Sequence, residues 1–380
     1  MQYRTFGRLD WRVSALGFGA MRLPVLGDEA KQIDAERATE MLHTAIDGGV
    51  NYVDTAYGYH GGKSEGFLGQ ALQGGYRQRV MLATKLPCWL VEKPDDFDRL
   101  LNEQLERLQV PQVDFYLFHA LNGKAWPKLR DLKALDWAER AMADGRIGHL
   151  GFSFHDSLDV FQEIVDGYDG WTLAQIQYNY MDTDYQAGTQ GLRYAAGKGL
   201  AVVVMEPIRG GMLARTPPAP ILKLWDQAPV RRSPAEWALQ WVWQQPEVSV
   251  VLSGMSTLEQ VVENLSSAAR SGPALLTVDD LALVDQVRDK YRELAPIPCT
   301  GCQYCLPCPS EVAIPRIFEF YNDAMMYNDL GPARLRYSWL KEEERASACE
   351  ECGACEALCP QAIEIIEWLK KAGEVLGQQQ

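Results

Sequence analysis

The chain has 380 residues, 47% hydrophobic and 23% charged, the make-up of a packed globular protein with one large domain or two unequal ones, and not of a disordered one. A formal charge of −14 repels phosphate backbones and anionic lipid surfaces, so neither nucleic acid nor membrane is an expected partner. No aliphatic run approaches the ~20 residues of a membrane span, and the opening Met1-Gln2-Tyr3-Arg4 carries no apolar signal region, so the expected location is cytoplasmic.

From the N-terminus, short β-rich runs alternate with amphipathic helical stretches. The period-2 and apolar runs predict strands at 13–20, 51–56, 80–86, 113–120, 149–154, 174–180, 200–207 and 248–255. Helices are predicted after each, at 34–48, 64–72, 95–108, 128–143, 157–165, 189–196, 233–244 and 257–268. Eight βα units over ~250 residues specify an α/β chain closed into a (β/α)8 TIM barrel, because an open doubly wound sheet normally stops at five or six strands. A ninth helix at 278–294 precedes Ala295-Pro296-Ile297-Pro298, which breaks the pattern. The expected domains are therefore a barrel at 1–294 and a small, mostly α-helical domain at 295–380, with helical stretches at 314–344 and 363–369. That last segment carries 7 Lys/Arg against 13 Asp/Glu, a net −6 that suits a redox protein partner docking on an acidic face.

Active sites of such barrels lie at the C-terminal ends of the strands. Asp54 ends the second predicted strand, with Tyr59 in the loop after it; Lys85 ends the third and His119 the fourth. These four types suit carbonyl reduction. A phenol with a pKa near ~10 is a weak acid, and a neighbouring ammonium stabilises its phenolate and is expected to lower that value. Lys85 supplies the ammonium, Asp54 holds the lysine, and His119 donates to a carbonyl oxygen while Tyr59 protonates it. Cys88, just beyond Lys85, reads as an inert thiol near the mouth.

On these residues the sequence resembles the aldo-keto reductases. The matching stretches are Asn51-Tyr52-Val53-Asp54-Thr55-Ala56 with Tyr59 and Ser64-Glu65, Ala83-Thr84-Lys85, and Val113-Asp114-Phe115-Tyr116-Leu117-Phe118-His119. Gly151-Phe152-Ser153, Gln175-Ile176-Gln177-Tyr178-Asn179 and Glu263-Asn264-Leu265 continue the likeness over roughly residues 1–272. The resemblance implies a barrel that binds an extended nicotinamide dinucleotide, NADP or NAD, and reduces a small-molecule aldehyde or ketone. By the same analogy Ser153 and Gln177 hold the nicotinamide carboxamide, and Ser253, Gly254, Met255, Ser256, Gln260, Glu263 and Asn264 form the adenosine-phosphate end. Met205 stands where the family places a stacking aromatic, and the loop with Arg209, Gly210 and Gly211 offers one cation and backbone N–H groups to the pyrophosphate. No basic residue lies between Arg232 and Arg270, which leaves the choice between NADPH and NADH open.

Eight of the nine cysteines lie in two runs: Cys299, Cys302, Cys305 and Cys308 before Pro309, then Cys349, Cys352, Cys355 and Cys359 before Pro360. In a cytosolic chain such clustering argues for metal ligation. A third cysteine at the same two-residue interval suits a 4Fe-4S cube better than zinc, which draws paired cysteines across a longer gap. By resemblance to two-cluster ferredoxins, of the α-helical type, Cys299, Cys302, Cys305 and Cys359 ligate one 4Fe-4S cluster and Cys349, Cys352, Cys355 and Cys308 the other. The first run has one residue fewer before its last cysteine, which leaves a single cluster as the alternative. The chain as a whole resembles the aldo-keto reductases that carry a C-terminal ferredoxin-like domain. The expected activity is carbonyl reduction with NAD(P)H; the alternative is an iron-sulfur enzyme passing single electrons to a substrate or partner without nicotinamide, since a hydride carries two electrons and a cluster one.

Overall fold

The computed structural model describes residues 1–27, 32–299, 301, 303–359 and 361–378. Two compact units emerge, one of Met1–Ala214 with Ala235–Val278, the other of Arg215–Pro234 with Asp279–Gln380.

The first unit opens with an antiparallel hairpin, β1 (Tyr3–Phe6) and β2 (Leu9–Ser14). Eight parallel strands follow: β3 (Leu16–Gly19), β4 (Tyr52–Asp54), β5 (Met81–Leu86), β6 (Val113–Leu121), β7 (Ile147–Phe154), β8 (Leu173–Gln177), β9 (Ala201–Met205) and β10 (Val248–Ser253). They close in chain order, β10 pairing with both β9 and β3. All eight expected barrel strands are present. The first is shorter than its pattern, because residues 13 and 14 belong to the hairpin. Gly7 makes that hairpin: its φ is +54°, and a Cβ there would lie 2.5 Å from the Ala201 nitrogen. The hairpin seals the barrel floor, with Phe6 and Val13 packed among Tyr52, Phe115, Leu117, Val203 and Val250. Burial of these side chains, at ~25 cal/mol per Å², leaves the opposite, C-terminal mouth as the open end.

Capping fixes the helix starts near that mouth. Asp34 accepts from the Arg37 N–H to cap Ala35–Asp47, and Thr257 accepts from the Gln260 N–H to cap Leu258–Ala269. The helix expected at 128–143 is instead two, Ala125–Asp131 and Ala134–Ala143, broken where Lys133 turns left-handed at φ 60°.

In the second unit, helices Ile314–Met326, Leu330–Ser338 and Ile365–Leu376 bury Ile317, Phe318, Phe320, Tyr337, Ile365 and Leu369 in a core of their own, which includes Cys355 and against which Cys299, Cys305, Cys308, Cys349 and Cys359 pack. No helix among the described residues is long and apolar enough to cross a membrane.

Candidate active site

Asp54 at the end of β4 and Lys85 near the end of β5 are both buried, 3% and 1% exposed. The Lys85 ammonium spends its three donors on Asp54 Oδ1 at 2.6 Å, the Thr55 carbonyl at 2.7 Å and the Tyr59 hydroxyl at 3.4 Å. Tyr59 enters a turn in which His60 and Gly61 are left-handed, and this fold of the loop brings its ring back over Lys85, 5.0 Å from Nζ. His119 reaches the same place from β6. Its ring meets Tyr59 edge-on at 6.1 Å between centroids, and the Trp89 ring centroid lies 5.2 Å from its own. A register shift between Phe118 and Leu121 breaks the β6–β7 ladder here, and Ala120, at φ 55°, donates its N–H to Ser153 Oγ at 2.8 Å. Such bulges re-aim side chains at strand ends. The structure thus brings together all four of Asp54, Tyr59, Lys85 and His119, with Ser153 locked against the His119 turn.

The charges follow from burial and partners. Burial raises the Asp54 carboxyl above its ordinary value, opposed by Lys85 and Gln175. Burial would discharge Lys85, but Asp54 and Tyr59 outweigh it and hold the ammonium above the ordinary lysine value. Tyr59 departs from expectation: Lys85 does pull its pKa down, yet burial dominates and the phenol is raised, so it is protonated at neutral pH. His119 is lowered to about 3 by burial, by Lys85 and by His155, so it is a neutral imidazole whose buried Nδ1 makes no hydrogen bond. Burial pushes the Cys88 thiol up to about 12.

A second polar layer lies behind Lys85. Glu65, fully buried, accepts from Thr84 Oγ1, Gln104 Nε2 and Arg107, and Gln104 also donates to the Lys85 carbonyl. Ser64 Oγ bonds Thr55 Oγ1 at 2.8 Å, so the Ser64-Glu65 pair braces both strands that carry the site.

The remaining residues singled out in the sequence divide into groups. Gln177, at the end of β8, donates to Asp182, and Arg209 pairs with the same carboxylate at 3.2 Å, so its charge is balanced locally. Met205 ends β9 half-buried. Ser253, ending β10, accepts from Asn264 at 3.0 Å; Ser256 is tied through its N–H to Gln260 and through its hydroxyl to the Arg22 carbonyl. Met255 is buried and Glu263 faces outward. Gly210 and Gly254 form a cradle crossed by Arg22, and a Cβ at Gly211 would meet open space. A Cβ at Gly254 would lie 3.3 Å from the Arg22 side chain, and one at Gly210 would lie 3.4 Å from its guanidinium.

Two residues escaped the sequence reading. Arg22 lies just past the end of β3 and pairs with no carboxylate among the described residues, which makes it the exposed cation beside the glycine cradle. Its place one loop beyond a barrel strand was the available signal. Gln175 is 2% exposed on β8, two residues before Gln177 and therefore on the same face, and its buried Oε1 lacks a partner. An unpaired buried acceptor marks a place for a donor. Glycine loops, an exposed cation, and amide and hydroxyl groups near the Asp54-Tyr59-Lys85-His119 cluster are a donor set that fits a nicotinamide dinucleotide.

The cysteines sort into two sets. Cys308, Cys349, Cys352 and Cys355 line one small pocket, and Cys299, Cys305 and Cys359 line another, with Ile314 on the wall of both. Cys302 lies outside the described residues. Each set surrounds a space with sulfur and aliphatic walls, the donor chemistry of a 4Fe-4S cube.

The family model for the aldo/keto reductase family matches residues 15–289, and that for the 4Fe-4S dicluster domain matches residues 298–364. L-galactose dehydrogenase of Arabidopsis thaliana is 26% identical over 77% of this chain and 96% of its own. A solved aldo-keto reductase from Bacillus halodurans, in its holo form, superposes with a TM-score of 0.62 at 25% identity, covering 76% of this chain and 96% of that one. The aldo-keto reductase of Klebsiella pneumoniae in complex with NADPH is 24% identical and gives 0.60 over 76% of this chain and 96% of that one, a likeness of fold.

Proposed function

We propose that this chain, which belongs to the aldo/keto reductase family and carries a C-terminal 4Fe-4S domain, reduces an aldehyde or ketone with NAD(P)H, Tyr59 supplying the proton. The dinucleotide, when bound, supplies hydride to the carbonyl carbon. Toward it, Ser153, Gln175 and Gln177 offer hydroxyl and amide groups for the nicotinamide carboxamide. Arg22 and the Gly210 N–H would face the phosphates, and Ser253, Ser256, Gln260, Glu263 and Asn264 would lie at the adenosine end.

The protein's own part is proton chemistry. As the carbonyl carbon gains its hydride, the oxygen becomes basic and the Tyr59 hydroxyl gives it a proton, forming the alcohol and leaving a phenolate. Lys85 donates to that phenolate oxygen and stabilises the charge; Asp54 and the Thr55 carbonyl hold Lys85 in place. Neutral His119, beside Tyr59, donates to the substrate oxygen. Solvent returns the proton to Tyr59 after release. The observation that carries this reading is the three-way bonding of one buried ammonium to a carboxylate, a carbonyl and a phenol at the barrel mouth.

The two cysteine-lined cavities favour a second reading for the C-terminal unit, in which clusters pass single electrons to an acidic-face redox partner. One experiment separates the two. Anaerobically purified protein is given an aromatic aldehyde with NADPH or NADH, and in parallel with dithionite-reduced ferredoxin. Turnover with nicotinamide alone supports the first reading; turnover with ferredoxin alone contradicts it.

A further inference from the structure

Each cysteine run begins at a backbone group gripped by a buried side chain from the helical pair that separates the runs. Ahead of the first run, Asn322 on the helix Ile314–Met326 clasps both polar groups of Ile297: the Ile297 N–H donates to Asn322 Oδ1 at 3.0 Å, and Asn322 Nδ2 donates to the Ile297 carbonyl at 2.8 Å. That same carbonyl accepts the N–H of Cys299 at 2.8 Å. Ahead of the second run, the Tyr337 hydroxyl on the helix Leu330–Ser338 accepts the Ala346 N–H at 3.0 Å, and the Ala346 carbonyl accepts the N–H of Cys349 at 3.1 Å. Asn322, Tyr337, Ile297 and Ala346 are all buried, between 1% and 8% exposed. Ile297 lies in irregular chain, and Ala346 opens a single 3-10 turn just after Arg345, which itself donates to the Leu340 and Ser338 carbonyls.

We propose that Asn322 and Tyr337 are separate positioning residues, one for each iron-sulfur site: Asn322 sets the arm that presents Cys299, and Tyr337 sets the arm that presents Cys349. Removing either side-chain partner strands a buried backbone N–H, of Ile297 or of Ala346, which loosens the arm. The two arms meet different cavities. Cys299 lines the one with Cys305 and Cys359, Cys349 the one with Cys308, Cys352 and Cys355. Loss of one anchor therefore empties one site and spares the other. The helical insert, on this account, is there to carry two anchors. This rests on the two-cluster reading of the cysteine runs.

The test is iron and sulfide content, with electron paramagnetic resonance of the dithionite-reduced protein, on the full chain purified without oxygen. Wild-type protein is expected to hold about eight irons, the content of two 4Fe-4S clusters; about four would overturn the two-cluster reading, and the proposal with it. With eight in the wild type, Asn322→Leu and Tyr337→Phe should each hold half, with one reduced-cluster signal lost in the first and the other in the second. Adding Cys352→Ser should empty the Asn322→Leu protein, whereas adding Cys305→Ser should leave its iron unchanged; for Tyr337→Phe the pattern reverses. Tyr337→Phe keeps the ring and its packing, so it remains informative should the Asn322 variant fold poorly. Full iron in both variants, loss of both signals from Tyr337→Phe, or the same signal lost in both would overturn the proposal.

Discussion

The barrel mouth and the cysteine unit hold their functional groups in opposite ways. In the barrel, Lys85 is fully bonded by the protein itself, and Glu65, Gln104, Ser64 and Thr84 brace it from behind. That site is finished before any ligand arrives. In the cysteine unit the thiols surround two spaces and lean on a few side-chain-to-backbone bonds, so much of the order there is left for a cofactor to supply. The contrast teaches where each region is fragile: the barrel to loss of one of its own charges, the cysteine unit to loss of an anchor or of iron.

Three substitutions break or sharpen this contrast, beginning with the largest effect. Lys85→Met leaves Asp54 buried and unpaired, so it should cost about 3–5 kcal/mol of barrel stability and abolish measurable turnover; denaturant titration and steady-state kinetics read both. An unchanged midpoint would show that the pair is not structural. His119→Ala removes a side chain whose Nδ1 is unbonded, so stability should hold while kcat falls about 10²–10³-fold, the usual effect of losing one donor to a developing oxyanion. With His119 lowered to about 3 and Tyr59 raised, the wild-type kcat for reduction should be flat from about pH 5 to 9. Above that range it should fall as Tyr59 loses the proton it must give; a limb near pH 6.5 in the wild type, absent from His119→Ala, would contradict a neutral imidazole. Arg22→Leu should touch neither stability nor chemistry. It should weaken NADPH and NADH binding about 10–100-fold, the worth of one charged hydrogen bond, as read by fluorescence titration.

The division between legible and hidden follows how far each signal travels along the chain. Eight alternating apolar runs announce a parallel barrel, since each strand and helix is a local pattern. Asp54, Lys85 and His119 could be found because the strand-end rule turns a sequence position into a place. The hairpin merges into the first barrel strand in the sequence because Val13 runs on into the apolar Ala15 and Leu16, and the pairing of Tyr3 with Ser14 and Arg4 with Val13 is what separates them. The direction of the Tyr59 shift was hidden because burial depends on the whole mouth and cannot be read from the neighbour at Lys85 alone. Arg22 lies more than 180 residues from the glycines it crosses, and Asn322 acts on Ile297 across a separation of 25. Neither contact leaves a periodic trace.

The central claim is that Tyr59 gives the proton within a cluster the protein holds ready. Its most direct test is Tyr59→Phe in the anaerobic NADPH-coupled reduction of an aldehyde, with dinucleotide affinity measured on the same sample. The account predicts a fall in kcat of about 10²–10⁴-fold with the dinucleotide Kd unchanged. Wild-type kcat in the phenylalanine protein would place the proton donor elsewhere and contradict it.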